Sequence, residues 1–298
     1  MKTGYRLASL TVLLLPLLLS GCFILSTTRR LPVPKAPAIV QTVTPEDLVA
    51  QLNKRWAALN SLTASVEIQA SQLKTNEGVA KDYTTFRGQI MMRKPEMLRV
   101  YGRLPVIGSE MFDMVSDGKN FTMYIPHYNK VYKGTNTVRK KSASLVENMR
   151  PGFFLDAMVV RGLEPDDLYS VTSVTVTVED AAKKHLYLVP EYILSVGRRK
   201  GGSQQLVTLR EITFHRDDLL PYQEVVYDGD GNVETQVLYA GYRDFDSNKF
   251  PSTITILRPL EESQIVLTVE KITENETLPD DQFVINNIPP GTPVQDIE

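Results

Sequence analysis

Apolar and polar side chains alternate strictly between residues 62 and 71. Leu62, Ala64, Val66, Ile68 and Ala70 stand on one parity, and Thr63, Ser65, Glu67, Gln69 and Ser71 on the other. Successive side chains of a strand point to opposite faces, so this run is a strand with one face in an apolar core and the other in water. A helix would scatter the same residues around its circumference. The period of two recurs in Phe86, Gly88, Ile90 and Met92, in Phe112 and Met114 set against Met111, Asp113 and Val115, and in Phe121, Met123 and Ile125. Further strands are expected at Val174, Val176 and Val178, at Leu186 and Leu188, and over residues 192–196, 206–214, 222–227, 233–242, 253–257 and 265–272. Asp117-Gly118 and Asp228-Gly229-Asp230-Gly231-Asn232 are turn signals between such runs. Roughly a dozen strands on short turns describe one large meandering antiparallel sheet or barrel.

Two segments carry the helical period instead. Thr44-Pro45-Glu46-Asp47 offers an N-cap, a proline for the first turn and two acids beside the positive end of the helix dipole. Leu48, Leu52, Trp56 and Leu59 follow as one apolar stripe, which Asn60 and Ser61 end. Residues 142–160 contain Leu145, Met149, Phe153, Leu155 and Met158, with Pro151-Gly152 splitting them into two short helices. The expected class is therefore α+β, mainly antiparallel β, with helices covering one open end or face of the sheet.

The N-terminus reads as a leader. Lys2 and Arg6 precede an apolar stretch over 7–19, too short to span a ~30 Å hydrocarbon layer comfortably. Ser20 and Gly21 lead to Cys22, the one cysteine in 298 residues. Leu19-Ser20-Gly21-Cys22 resembles the lipobox of bacterial lipoproteins. That resemblance implies a signal peptide over 1–21 and a mature chain beginning at Cys22, with diacylglyceryl and N-acyl groups covalently attached there. Each buried methylene contributes about 0.8 kcal/mol, so two or three acyl chains anchor a protein to a membrane without spanning it. Phe23, where an aspartate in such proteins favours inner-membrane retention, implies delivery to an outer membrane. Pro32, Pro34 and Pro37 make residues 22–43 a semi-rigid tether.

The rest of the composition narrows the chemistry. A formal charge of −2 gives no bulk positive field for nucleic acid. A lone cysteine excludes an internal disulfide and a thiolate-rich zinc site. His127, His185 and His215 have no partner at metal-ligand spacing, and no nucleophile elbow, phosphate loop or dinucleotide fingerprint occurs. The Asp228 to Asn232 stretch has Val233 where a calcium loop needs glycine, and Gly201-Gly202-Ser203 precedes no helix, so both read as hairpin tips. No catalytic residue, metal or free cofactor is expected, and the chain reads as something other than an enzyme.

Apolar features remain. Apart from Met1, every methionine lies between Met91 and Met158. Flexible thioethers suit surfaces that accept varied apolar shapes, although they also fill ordinary cores. Met91 and Met92 must face opposite sides of a regular strand. Arg103-Leu104-Pro105-Val106-Ile107-Gly108 reads as a loop whose Leu104, Val106 and Ile107 either touch a membrane or partner or fold back into the core.

Several short motifs fall in a familiar order. They are the capped helix ending in Leu59-Asn60-Ser61-Leu62, the strand over 63–71, Arg93-Lys94-Pro95 before a strand, and the Asp117-Gly118 turn. The mid-chain helices follow, and Leu278-Pro279-Asp280-Asp281-Gln282-Phe283 closes the order. Over residues 44–288 this resembles the LolA/LolB superfamily of bacterial lipoprotein carriers, and the Cys22 anchor and the 104–107 loop resemble its lipid-anchored LolB side. The resemblance implies an incomplete β-barrel, capped by helices on one open side, around a cavity for acyl chains. It implies a periplasmic domain at the outer membrane, binding membrane lipid and the acyl chains of lipoprotein cargo and meeting a periplasmic carrier protein. Candidate cavity or lid residues are then Leu52, Trp56, Met92, Met111, Met123, Leu145, Met149, Phe153 and Met158. The alternative is a structural or docking lipoprotein whose barrel is filled by its own side chains. Residues 289–298 are expected to be a C-terminal tail.

Overall fold

The computed structural model describes residues 33–74, 77–104, 108–136, 150–179, 185–245 and 248–297. The chain runs through α1 (Pro45–Ala58), β1 (Ser61–Lys74), β2 (Val79–Asp82), β3 (Phe86–Arg93), β4 (Met97–Arg103), β5 (Glu110–Ser116), β6 (Asn120–Ile125) and β7 (Lys130–Thr135). It continues with α2 (Pro151–Met158), β8 (Leu168–Glu179), β9 (Leu186–Arg199), β10 (Leu206–His215), β11 (Pro221–Tyr227), β12 (Val233–Phe245), β13 (Asn248–Arg258), β14 (Ser263–Glu274) and β15 (Val294–Ile297). All the strands belong to one 15-stranded sheet.

β1, the strictly alternating segment, sits in the middle. On one side β3 to β7 meander outward in sequence order; on the other lies β14, and β13 to β8 follow in reverse order. β15 adds to β7 in parallel, so β15 and β8 are the edges and the sheet is an open, incomplete barrel. Consecutive strands β7 and β8 thus lie far apart, β7 beside one edge and β8 at the other. Their connection has to cross the whole sheet, and α2 lies on that crossing.

Hydrophobic patterning decides the face it crosses. Leu62, Ala64, Val66 and Ile68 of β1, Ile90 and Met92 of β3, Met114 of β5, Ile254 and Ile256 of β13 and Leu267 of β14 are all buried in one cluster with Phe154, Leu155, Ala157 and Met158 of α2. Tyr132 of β7 and Val237 of β12 share that cluster, so the sheet curls around α2. α1 packs on another part of the concavity, where Leu48, Val49 and Leu52 meet Tyr192, Leu194, Val196, Ile212 and Phe214 of β9 and β10. Inward-facing Gly102 leaves room for the edge-to-face pair of Phe86 and Phe112, whose centroids are 5.6 Å apart.

Several sequence expectations change in detail. Leu186, Leu188 and residues 192–196 belong to one strand, β9, despite Pro190. Both polar backbone groups of a strand residue point to the same side. The Pro190 carbonyl accepts the Arg216 N–H at 2.9 Å, beyond the end of β10, so the missing N–H takes nothing from the β8–β9 ladder. The end of the segment read as a tether touches the domain: the Lys35 N–H donates to Leu186 at 2.8 Å, and the Gln41 N–H to Arg216 at 2.6 Å. Residues 294–297, read as part of a tail, form β15.

Met91 and Met92 do face opposite sides. Met92 is in the main core; Met91 joins Leu278 and Phe283 on the outer face. There Arg93 donates to the Leu278 carbonyl and to Asp280, both at 2.5 Å, and its guanidinium lies 5.0 Å from the centre of the Phe283 ring. The C-terminal motif is thus a strap over β3 and β4.

The junction of α1 and β1 is held by Asn275, whose backbone is left-handed at φ 57°. Its Oδ1 accepts the Asn60 N–H at 2.7 Å and its Nδ2 donates to the Ala58 carbonyl at 3.0 Å. Asn tolerates this conformation better than residues without a short polar side chain. Asn275→Ala should lower stability by about 1–2 kcal/mol, through lost hydrogen bonds and backbone preference. Denaturant unfolding measures the loss, and hydrogen exchange should place the fastest new opening in the last turn of α1.

Candidate functional site

The walls of the site are fixed before a ligand is considered. The Thr44 hydroxyl accepts the Asp47 N–H at 3.1 Å and starts α1 as its sequence demands. At the other end, the Lys94 ammonium donates to the Trp56 carbonyl and lies 3.7 Å from the centre of the Trp56 ring. Burial lowers the Lys94 pKa from its ordinary value. Along its flank, Asn53 Oδ1 accepts the Leu163 N–H at 2.8 Å. A Cβ on Gly162 would lie 2.8 Å from Asn53 Oδ1 and 2.9 Å from Trp56 Cδ1, so glycine lets the crossing chain lie directly on α1.

What the two helices leave open is a cleft of about 650 Å³. Its apolar walls come from Leu52, Trp56 and Leu59 at α1, Met158 and Val160 at the exit of α2, Leu220 and Pro221 at the start of β11, and Tyr239, Tyr242 and Phe250 of β12 and β13. The volume lies within the ~300–1,000 Å³ typical of small-molecule pockets. Tyr242 is held in the wall by donating to the Pro221 carbonyl, and its ring lies 5.4 Å from Tyr222, which stacks on His215 at 3.5 Å. Lys54, Arg55 and Lys249 also line the cleft, with Asp218 and Glu274.

A polar cluster lies beside the cleft, where α2 and the chain after it face β10 to β12. Arg210 donates to Glu224 at 3.1 Å and to the Gly162 carbonyl at 2.7 Å. Arg161 pairs with Asp156 at 2.8 Å and approaches Glu96 at 3.8 Å. Desolvation raises the Asp156 pKa against the pull of Arg161, and lifts that of Glu224 to about 7 against the pull of Arg210. The Tyr239 hydroxyl is buried beside Glu224, and burial raises its pKa well above the phenol value, with Glu224 adding to the effect. These groups join the crossing segment to the second half of the sheet, and a buried pair of this kind loses its compensation if one partner is removed.

The residues singled out from sequence take several positions. Leu52, Trp56 and Met158 meet in the cleft. Met92 and Met123 are fully buried in the main core, and Met111 packs partly buried against it. Phe153 is on α2, and Leu104 is half-buried where the β4–β5 loop begins. The base of that loop is closed by the Leu104 N–H donating to Ser109 at 2.9 Å. Cys22, Val106, Ile107, Leu145 and Met149 lie outside the described residues. Sequence reading missed Tyr239, Tyr242 and Phe250, and the polar cluster as well. A signal for the cluster existed: Arg210 shares the parity of Ile212 and Phe214, and so is a charge on an inward face.

No protein-family model and no curated protein matches this sequence. Solved structures do match its fold. A DUF1329 family protein from Desulfovibrio piger superposes with a TM-score of 0.53 at 14% identity, covering 82% of this chain and 97% of its own. A LolA superfamily protein from Nitrosomonas europaea gives a TM-score of 0.50 at 14% identity, covering 82% of this chain and 99% of its own. The chain therefore has a LolA-like fold. Among the described residues, no helix is long and apolar enough to cross a membrane.

The buried Glu224 has a consequence for pH. Its folded pKa lies above the usual carboxylate value, so the folded state holds a proton that the unfolded chain releases. Its contribution is fully present below about 4.5 and is lost as pH rises through about 7. In urea unfolding, the stability of Glu224→Gln relative to wild type should rise across that window. A gap that does not change with pH would contradict the assignment.

Proposed function

We propose that this protein is a membrane-anchored carrier that buries acyl chains in the cleft between α1 and the concave sheet. The observation that carries the reading is the cleft itself: its walls are mainly apolar, and Trp56 and Tyr242 are only half-buried within it. Half-buried aromatic and aliphatic surface in a concave site favours an apolar guest. The LolA-like fold adds support. In this reading Cys22 carries the lipid that holds the protein at the outer membrane, residues 22–43 give the domain its reach, and the domain over 44–288 faces the periplasm. The cargo is lipoprotein, received from a periplasmic carrier, and the role is its sorting or insertion.

Transfer of this kind breaks no covalent bond. It requires only that chains be less stable in the cleft than in the receiving membrane, so that they leave downhill. A small cleft bounded by half-exposed walls suits weak, shape-tolerant burial. No residue is assigned a catalytic role, and no metal or free cofactor is required. A second reading, a docking lipoprotein with a filled barrel, draws on α2: Phe154, Leu155, Ala157 and Met158 occupy the concavity over the first half of the sheet.

The two readings differ in native mass spectrometry of the full chain. A carrier should retain a non-covalent acyl ligand. Ala58→Trp, at an exposed position on the cleft, should lose that ligand without losing secondary structure. A ligand-free wild-type protein favours the filled barrel. The 104–107 loop is tested separately. Leu104→Glu should slow delivery of an acylated cargo to vesicles severalfold while leaving the unfolding midpoint close to wild type. An equal loss of folded protein would assign Leu104 to the core instead.

A further inference from the structure

The cations on the cleft carry an inference about the ligand's headgroup. Lys54, Arg55 and Lys249 all line the cleft and are exposed, and none makes a hydrogen bond or ion pair with another described residue. The two acids on the same cleft are already occupied. Asp218 accepts the Leu220 N–H and the Tyr222 hydroxyl, each at 2.9 Å, and Glu274 has a contact of its own. By contrast, Arg161 and Arg210 in the neighbouring cluster are spent on carboxylates. Burial and Tyr222 push the pKa of the half-buried Tyr242 up, while Arg55 pulls it down and Asp218 adds to the rise, so charges of both signs act on this wall.

Resting on the acyl-binding reading, we propose that the cleft selects amphiphiles with an anionic headgroup. The tail lies against Trp56, Met158 and Tyr242, and a carboxylate or phosphate meets Lys54, Arg55 and Lys249. An aliphatic tail with no charge uses the walls alone. A cationic amphiphile meets three cations against the two acids Asp218 and Glu274 and is disfavoured. Arg and Lys serve here because both bind carboxylate and phosphate, Arg with a planar fork and Lys as a point charge.

Trp56 is the single tryptophan of the chain and lines the cleft, so its emission reports occupancy. The test places the full chain in phosphatidylcholine vesicles and reads quenching of Trp56 by brominated chains. One arm compares a brominated fatty acid with the corresponding alcohol; the other compares brominated phosphatidylglycerol with brominated phosphatidylcholine. The arms separate a free carboxylate from a phospholipid headgroup. In at least one arm the anionic member should half-saturate at about fivefold lower concentration, the scale of an exposed ion pair. High salt should shrink that preference, and the combined K54Q, R55Q and K249Q variant should abolish it while still binding the neutral chain. Equal quenching by anionic and neutral chains in both arms overturns the headgroup assignment and leaves the acyl cleft standing. A preference that survives in the triple variant overturns it as well. No quenching by any chain overturns the acyl-binding reading itself.

Discussion

The structure depends on burying one long curved apolar face. A sheet with β1 at its centre and two meanders running away from it presents far more inward apolar surface than its own strands cover. Removing that surface from water is the main favourable term available to a chain with no internal disulfide. The topology supplies the cover. Because β7 lies beside one edge of the sheet and β8 is the other edge, the link between them has to cross it, and its described part puts α2 in the concavity. α1, arriving from the other end of the chain, packs on another part of it. The cleft is the part of the concavity that neither helix closes.

Polar contacts hold that arrangement in register. Asn53 and Gly162 bring the crossing chain onto α1, and Arg210 ties the same chain to β10 and β11. Asp156 lies deep in the concavity, yet 42% of its side-chain surface is open, so its ion pair with Arg161 borders a wet recess and not a sealed core. Such an arrangement gives α2 a defined seat without packing every inward position. The same economy explains why the methionines, gathered in one half of the sequence, serve mainly the packed half of the barrel. Met92, Met114 and Met123 fill the core, and among the described methionines Met158 alone lines the cleft.

Much of the fold is legible in the sequence because it is written in local periodicity. The alternation in β1, the Thr44-Pro45 start of α1 and the turns at Asp117 and Asp228 each depend on neighbours within a few residues. The motifs of the family resemblance turn out to touch one another. Arg93 clasps the Leu278 to Asp280 stretch, Lys94 meets Trp56, and Asn275 joins the end of β14 to Asn60. They mark places where distant parts of the chain are sewn together. Less legible was whatever required knowing which strands face each other. Tyr239 and Tyr242 look like ordinary strand residues until β12 curls opposite α1. Lys54, Arg55 and Lys249 look like scattered surface charge until the fold gathers them. Pro190 looks like a strand breaker until β10 is seen to end beside it.

The central claim is that the space between α1 and β12 to β14 is a seat for hydrocarbon and not a crevice that the chain closes by itself. A crystal structure of the protein grown with a brominated acyl chain tests it most directly, because anomalous scattering locates the bromine without reference to the fit of the chain. The account predicts a bromine between Trp56, Met158 and Tyr242. A helix α1 settled onto Phe250 with no bromine in the cleft would contradict it.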